Sequence, residues 1–249
     1  MDGMGIVFLW MLCYNWEENN LIKSFYPYER TVSMKKTILF DLDGTLTDSG
    51  EGIMKCAQLA LSTYNIPIPD DKTMRTVVGP PLEVSFARFG MRDEDISDAI
   101  EVFRKRYTAV GKYENFPYPG IHELLQALLD QGYTLAVATS KPEVMALDIL
   151  HHFDLARFFG KNICGATLDR SRITKEDVIT FLLNSMGNPK DLIMVGDTQY
   201  DVIGAKAHGI PTIGVTWGYG EEEAIRSAGA AAIAQTMDEL LNLINTLPV

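Results

Sequence analysis

Four aspartates occupy two short segments whose spacing could support phosphate chemistry. Asp41 and Asp43 end the β-branched and aromatic run 37–43, and Asp197 and Asp201 lie in and just after the apolar run 192–197. Side chains alternate along a strand, so Asp41 and Asp43 project to the same side. Adjacent carboxylates repel each other unless they share a proton or bind a cation. Each aspartate alone is more typical of a turn or helix cap than of a metal site, but together they favour a Mg²⁺ site.

These side chains need strands that run in the same direction to bring them together. From residue 34 onward, apolar runs of strand length alternate with helical patterns, which is typical of a parallel sheet with helices on both faces. In such sheets ligands bind beyond the carboxyl ends of the strands. The predicted strands are 37–43, 134–140, 162–166, 192–197, 211–217 and 231–235. We therefore predict an α/β fold with a doubly wound, Rossmann-like core, in which Thr139 and Ser140 reach the same edge as the aspartates.

The sequence divides into an insertion, a core and an N-terminal segment. Residues 50–112 carry only helical patterns, so we predict an inserted all-helical subdomain there. Residues 34–49 and 113–249 form the predicted core. Residues 1–33 show no sustained periodicity and are expected to be an appendage of uncertain role, with Met34 as the working start; the rival interpretation is a packed or partner-binding segment.

Composition excludes several classes of function. The chain has 249 residues and a formal net charge of −11, which argues against nucleic acid as a partner. No apolar run reaches the roughly 20 residues that cross a bilayer. The three cysteines are far apart and read as free thiols, which favours a reducing, cytoplasmic location. The four histidines lack the spacing of a zinc site.

Four segments, in order, resemble the motifs of the haloacid dehalogenase superfamily of phosphohydrolases. They are DLDGTLTDS at 41–49, VATS at 137–140, Lys175 before a helical pattern, and VGDTQYD at 195–201. The insertion directly after the first motif resembles the small helical cap of the phosphoglycolate phosphatase-like subgroup. The resemblance covers essentially residues 34–249.

This resemblance implies a role for each motif residue. Asp41 would be the nucleophile that forms an aspartyl-phosphate, and Asp43 would protonate the leaving oxygen and then activate water. Mg²⁺ would be held by the Asp41 side chain, the Asp43 backbone carbonyl and Asp197, with Asp201 orienting ligands or water.

Further residues are expected around the phosphoryl group. Thr139 would donate to a phosphate oxygen, and Lys175 would supply positive charge, with Lys161 as the fallback and Lys141 a weaker candidate. The remaining expected substrate-binding residues are Gly44, Thr45 and Ser140 in the core and Gly79, Pro80 and Glu83 in the cap. Ser140 is equally typical of a helix cap, since Glu143 follows three positions later. The segment 217–220 either lines the site entrance or serves packing.

The predicted function is a Mg²⁺-dependent hydrolase of a small phosphorylated metabolite, phosphoglycolate phosphatase-like, in a monomer or homodimer. A 5′-nucleotidase or a pyrophosphatase on the same scaffold is the alternative, because the family differs in substrate far more than in motif. A phosphomutase and a catalytically silent binding protein are further alternatives. A dehalogenase is disfavoured, since that chemistry needs neither Mg²⁺ nor the second aspartate of the first motif.

Overall fold

Six parallel strands form the central sheet of the computed structural model, which describes residues 36–248. The strands, numbered in chain order together with a separate pair, are β1 (Thr37–Phe40), β2 (Thr47–Asp48), β3 (Phe116–Pro117), β4 (Thr134–Pro142), β5 (Ile163–Ala166), β6 (Leu192–Gly196), β7 (Thr212–Val215) and β8 (Ala232–Ala234). The sheet order is β5-β4-β1-β6-β7-β8. The roles predicted for residues 1–33 lie outside the described residues.

Helices connect these strands and cover both faces of the sheet. Those of the inserted region are α1 (Gly50–Thr63), α2 (Asp71–Arg75), α3 (Leu82–Arg88) and α4 (Asp93–Ala109), followed by a 3₁₀ turn at Gly111–Tyr113. Those of the core are α5 (Ile121–Asp130), α6 (Glu143–His152), α7 (Ala156–Phe159), α8 (Lys175–Ser185), α9 (Gln199–Lys206), α10 (Glu222–Ala228) and α11 (Met237–Thr246). Among the helices of residues 36–248, none has the length and apolar character of a membrane span.

The apolar composition of β1 explains its central position. Ile38 and Phe40 belong to one buried cluster, whereas Leu39 belongs to the cluster on the opposite face of the sheet. A strand buried on both faces reads as a continuous apolar run, as this one does. Because β4 and β6 pair with β1 on either side, the chain segments that follow these three strands meet at one edge.

Helices α1–α4, which we call the cap, have an apolar cluster of their own. Cys56, Ala60, Met74, Phe86 and Phe103 are among its buried members. The two chain segments that connect the cap to the core pair as the antiparallel strands β2 and β3. The α/β fold with an inserted helical cap is therefore confirmed, while the limits at 50 and 112 remain predictions.

The predicted helix cap at Ser140 is wrong. Strand β4 continues through Pro142, so Ser140 lies within the strand and Pro142 precedes α6. The Glu143 carboxylate accepts hydrogen bonds from Gly165 N and from the Arg172 guanidinium instead of capping the helix. By contrast, Thr174 and Asp177 form the reciprocal capping box that their spacing predicts at the start of α8. Helix α7 and the pairing of β2 with β3 were not predicted from the sequence.

Candidate active site

Three buried carboxylates meet at the carboxyl edge of the sheet. Asp41 follows β1, Asp197 follows β6, and Asp201 lies in the first turn of α9. The pairing of β1 with β6 is extended by a hydrogen bond from Asp41 N to Val195 O, which fixes the two strand ends side by side. One oxygen from each carboxylate lies within 4.8 Å of the other two. This is an all-oxygen set of the kind that hard divalent cations bind.

Lys175 places a positive charge inside this acidic cluster. Its ammonium group lies 2.8 Å from both Asp41 Oδ1 and Asp201 Oδ1, and it donates to Ala138 O at 2.8 Å. The side chain is 4% exposed, and Lys175 is the first residue of α8. Lys161, the alternative considered from the sequence, is exposed. Of these two lysines, only Lys175 contacts the cluster.

The electrostatics of the cluster favour an additional cation. Burial raises the pKa of Asp41 to about 6; Lys175 opposes this rise, and the nearby Asp201 and Asp43 add to it. Burial, with the charges of Asp201 and Asp41, also raises the pKa of Asp197 well above its ordinary value. One ammonium group therefore does not compensate three buried carboxylates. The residues present fit Mg²⁺, which would remove the remaining repulsion.

Asp197 is held by contacts from two loops. Thr45 Oγ1 donates to Asp197 Oδ1 at 3.2 Å, and Tyr219 N donates to Asp197 Oδ2 at 2.8 Å. Glycines allow this close approach: a Cβ at Gly44, where φ is +85°, would lie 2.1 Å from Asp197 Oδ2, and one at Gly218 would lie 2.3 Å from it. Gly44 and Thr45, expected from the sequence to bind substrate, thus both contact Asp197.

The Asp43 side chain lies outside the group of three carboxylates. Its Oδ2 forms an ion pair with Lys141 Nζ at 2.6 Å, and its Oδ1 has no hydrogen-bond partner among the described residues. Burial alone would lower the pKa of Lys141. The negative charge of the adjacent Asp43 outweighs this effect, so the pKa lies above the ordinary lysine value. The predicted role of the Asp43 backbone carbonyl as a metal ligand remains a prediction.

The end of β4 brings Thr139 to the same edge. Thr139 is 1% exposed, and its Oγ1 accepts a hydrogen bond from Lys141 N at 3.2 Å. Ser140 is exposed. The register of β4 against β5 shifts between Ala138 and Pro142, so the backbone of this segment is irregular. Such irregularities change the direction of side chains near active sites.

The cap loop before α3 reaches the core near the site. A Cβ at Gly79 would lie 3.7 Å from the Thr198 methyl group, and Thr198 follows Asp197 directly. Glu83 Oε1 lies 3.2 Å from Arg170 Nη1, and both side chains are substantially exposed. Pro80 is half-buried. Gly79 therefore approaches the segment that follows Asp197, whereas Glu83 pairs with Arg170 of the core.

Three residues near the site carry little or no signal in the sequence. Lys141 was ranked below Lys175 for the phosphate role, although it directly follows the second motif and pairs with Asp43. Tyr219 was placed in a loop of uncertain role; its two glycine neighbours were the available signal. Tyr107 lies in the last turn of α4, with its ring centroid 4.9 Å from Lys141 Nζ, and no local pattern marks it.

Comparison with known proteins agrees with this arrangement. The family model "Haloacid dehalogenase-like hydrolase" matches residues 38–215. A 5′-nucleotidase from Pseudomonas aeruginosa is 41% identical over 210 residues, covering 81% of this chain and 95% of that protein. A phosphoglycolate phosphatase from Agrobacterium fabrum is 32% identical over 187 residues, covering 73% of this chain and 80% of that protein.

A tyrosine-protein kinase PtkA from Mycobacterium tuberculosis is 41% identical over 206 residues, covering 82% of this chain and 70% of that protein. The crystal structure of a predicted phosphatase from Clostridium acetobutylicum has a TM-score of 0.80 and 44% identity, and covers 86% of this chain and all of that one. The family-model match spans more than half of the chain and includes both aspartate motifs. The chain therefore belongs to the haloacid dehalogenase-like hydrolase family, as a phosphatase.

Proposed function

We propose that the protein is a Mg²⁺-dependent phosphomonoester hydrolase that forms a covalent phosphoryl intermediate on Asp41. The observation that carries this proposal is the convergence of Asp41, Asp197 and Asp201 around Lys175 at the carboxyl edge of the sheet. Phosphoryl transfer depends chiefly on positioning and on stabilisation of negative charge, and this cluster provides for both.

The carboxylates of Asp41 and Asp197 would hold the metal, together with the Asp43 backbone carbonyl. Asp201 lies within reach of the same position and also accepts hydrogen bonds from Thr198 N and Oγ1, which orient it. Bound Mg²⁺ would supply Lewis-acid stabilisation of the phosphoryl oxygens and offset the charge between phosphate and carboxylates.

The first step requires a carboxylate next to a bound phosphate. Asp41 attacks phosphorus, so that a bond forms between its carboxylate oxygen and phosphorus while the bond from phosphorus to the leaving oxygen breaks. Asp43 donates a proton to that leaving oxygen. Lys175 and the hydroxyl of Thr139 would contact the phosphoryl oxygens and hold the group in line.

The second step reverses the proton flow. Asp43 accepts a proton from a water molecule, whose oxygen attacks phosphorus. The bond between phosphorus and Asp41 breaks, which releases inorganic phosphate and restores the Asp41 carboxylate. The net reaction converts a phosphate monoester and water into an alcohol and inorganic phosphate, so no further reactant is needed.

The relatives suggest two substrate classes and one transfer reaction. Nucleoside 5′-monophosphates rank first, because the Pseudomonas aeruginosa 5′-nucleotidase has the higher identity and is covered over 95% of its length. Phosphoglycolate, favoured by the sequence motifs alone, ranks second, since its named relative is 32% identical. Transfer to tyrosine ranks below both, because this chain covers only 70% of the PtkA kinase.

A panel of phosphate esters ranked by kcat/KM tests this order. The panel contains nucleoside 5′-monophosphates, 2-phosphoglycolate, sugar phosphates and pyrophosphate, and a separate assay with ATP and a tyrosine peptide measures transfer, each with Mg²⁺ and with EDTA. We expect the highest kcat/KM for a nucleoside 5′-monophosphate and loss of turnover in EDTA. Turnover that persists in EDTA would contradict the metal requirement, and a preference for 2-phosphoglycolate would reverse the substrate order.

A further inference from the structure

The reaction steps above give Lys141 no role. Among the described residues outside the cluster of three carboxylates and Lys175, its ion pair with Asp43 is the most enclosed. Its side chain is 6% exposed, and that of its partner Asp43 is 18% exposed. An ammonium group loses favourable hydration when it is buried, so its placement here is expected to serve a purpose beyond folding. The partner is the residue that the proposed reaction uses twice to move a proton.

The geometry of the pair distinguishes the two oxygens of Asp43. Lys141 Nζ contacts Oδ2 at 2.6 Å, while Oδ1 is buried and has no hydrogen-bond partner among residues 36–248. A carboxylate held through one oxygen loses rotational freedom, and its other oxygen remains available for a water molecule or a leaving group. Lys141 lies in the irregular end of β4, where its backbone N–H donates to Thr139 Oγ1.

The cap completes the enclosure of this pair. The ring of Tyr107 in α4 lies 4.9 Å from Lys141 Nζ, and Tyr107 is 4% exposed. An aromatic face attracts a cation, and more strongly where water is excluded. Tyr107 belongs to the apolar cluster of the cap, whereas Lys141 and Asp43 belong to the core. Any movement of α4 away from the core would therefore expose the ion pair to water.

We propose that Lys141 is a positioning residue that orients Asp43 for activation of the hydrolytic water, and that Tyr107 makes this orientation depend on the closed cap. The inference rests on the proposed function, because it takes Asp43 as the group that accepts the proton of water. It predicts that Lys141 matters mainly for breakdown of the aspartyl-phosphate and little for its formation from a substrate with a good leaving group.

Pre-steady-state hydrolysis of p-nitrophenyl phosphate separates the two steps. Nitrophenolate leaves without a proton, so its release reports formation of the intermediate, and the later steady rate reports breakdown. General acid–base catalysis contributes about 10²–10⁴-fold, so we expect Lys141→Met to slow the steady rate by about 30-fold or more. Its kcat/KM should stay within about 3-fold of the value for the unsubstituted protein. A burst of about one nitrophenolate per active site should appear.

Conservative and matched variants test the assignment further. Lys141→Arg keeps a cationic donor and should accumulate less phosphorylated protein after acid quenching than Lys141→Met. Tyr107→Leu keeps the cap apolar but removes the ring, so it should slow the steady rate more than Tyr107→Phe does. Lys190→Met, at an exposed lysine before β6, controls for loss of a lysine charge and should behave as the parent does.

The outcomes distinguish this inference from the function on which it rests. If Lys141→Met lowers kcat/KM and the steady rate equally and shows no burst, Lys141 has only a structural role and the inference is wrong. Asp43→Asn serves as the reference, because it should itself show a burst and a blocked second step. If Asp43→Asn shows no burst, the proposed role of Asp43 fails instead. If Lys141→Met does not fold, Tyr107→Leu and Tyr107→Phe are compared in the same burst assay. Equal steady rates for these two variants would contradict the inference.

Discussion

The ammonium group of Lys175 lies 2.8 Å from Asp41 Oδ1, although Asp41 follows the first strand of the sheet and Lys175 begins a helix in the second half of the chain. This contact opposes the effect of burial, which raises the pKa of Asp41 to about 6. A nucleophilic carboxylate must be ionised to attack phosphorus. Lys175 therefore helps to keep Asp41 in its reactive form near neutral pH.

Replacing the proposed nucleophile should abolish turnover without loss of the fold. Asp41→Asn keeps the size of the side chain but removes its charge, so kcat should fall by at least about 10³-fold. Phosphate release and circular dichroism measure the two properties. Asp191→Asn is the matched control, because Asp191 is exposed and its φ of +57° suits asparagine. Substantial turnover by Asp41→Asn would contradict the covalent mechanism.

Removing the buried ammonium should cost both activity and stability. In Lys175→Met, the carboxylates of Asp41 and Asp201 lose the cation between them, and breaking such a buried pair costs about 3 kcal/mol. The loss of unfolding free energy in EDTA should be larger at pH 7 than at pH 5, because Asp41 is mostly protonated at the lower pH. Urea denaturation at both pH values measures this, and an equal loss at both would contradict the electrostatic interpretation.

Stabilisation by Mg²⁺ should increase with pH between 5 and 7. The folded pKa of Asp41, about 6, lies above its ordinary value of 3.8, so the folded state binds this proton more tightly than the unfolded chain does. The stability contributed by this group is complete below pH 3.8 and is lost as the pH rises through about 6. Mg²⁺ binds the ionised form and replaces the lost proton.

The increase in Tm on adding Mg²⁺ in place of EDTA measures this linkage. We expect the increase to be several degrees at pH 7 and smaller at pH 5, and Asp197→Asn should reduce it at both. A Mg²⁺ effect that does not depend on pH would show that the metal binds elsewhere.

The Tyr219 hydroxyl should stabilise the junction between cap and core. It donates to Asp48 Oδ1 and accepts from Gly50 N, at the start of α1. Tyr219→Phe removes both hydrogen bonds, while Gly50 N still donates to Asp48 Oδ1, so it should lower the free energy of unfolding by about 1 kcal/mol. The backbone bond to Asp197 is retained, so Mg²⁺ affinity should change little.

Tyr200→Phe is the matched control for Tyr219→Phe, because Tyr200 is 45% exposed. Urea denaturation and Mg²⁺ titration measure the two variants side by side. If Tyr219→Phe is as stable as Tyr200→Phe, the hydroxyl does not stabilise the junction.

The sequence by itself determined the class of fold and the acidic residues of the site. The alternation of apolar runs with helical patterns indicated the parallel sheet, and the insertion of residues 50–112 indicated the cap, because these features depend on local periodicity. The spacing of Asp41 and Asp43 after one strand, and of Asp197 after another, located the candidate metal site at a single sheet edge.

Only the tertiary structure decided which side chains act on these aspartates. Lys141 pairs with Asp43, which lies 98 positions earlier in the chain, and the ring of Tyr107 reaches that pair from the cap. Tyr219 likewise joins distant segments, because its backbone N–H donates to Asp197 and its hydroxyl accepts from Gly50 N at the start of the cap. Such contacts join residues far apart in the chain, and their geometry depends on packing and backbone direction, which local patterns do not encode.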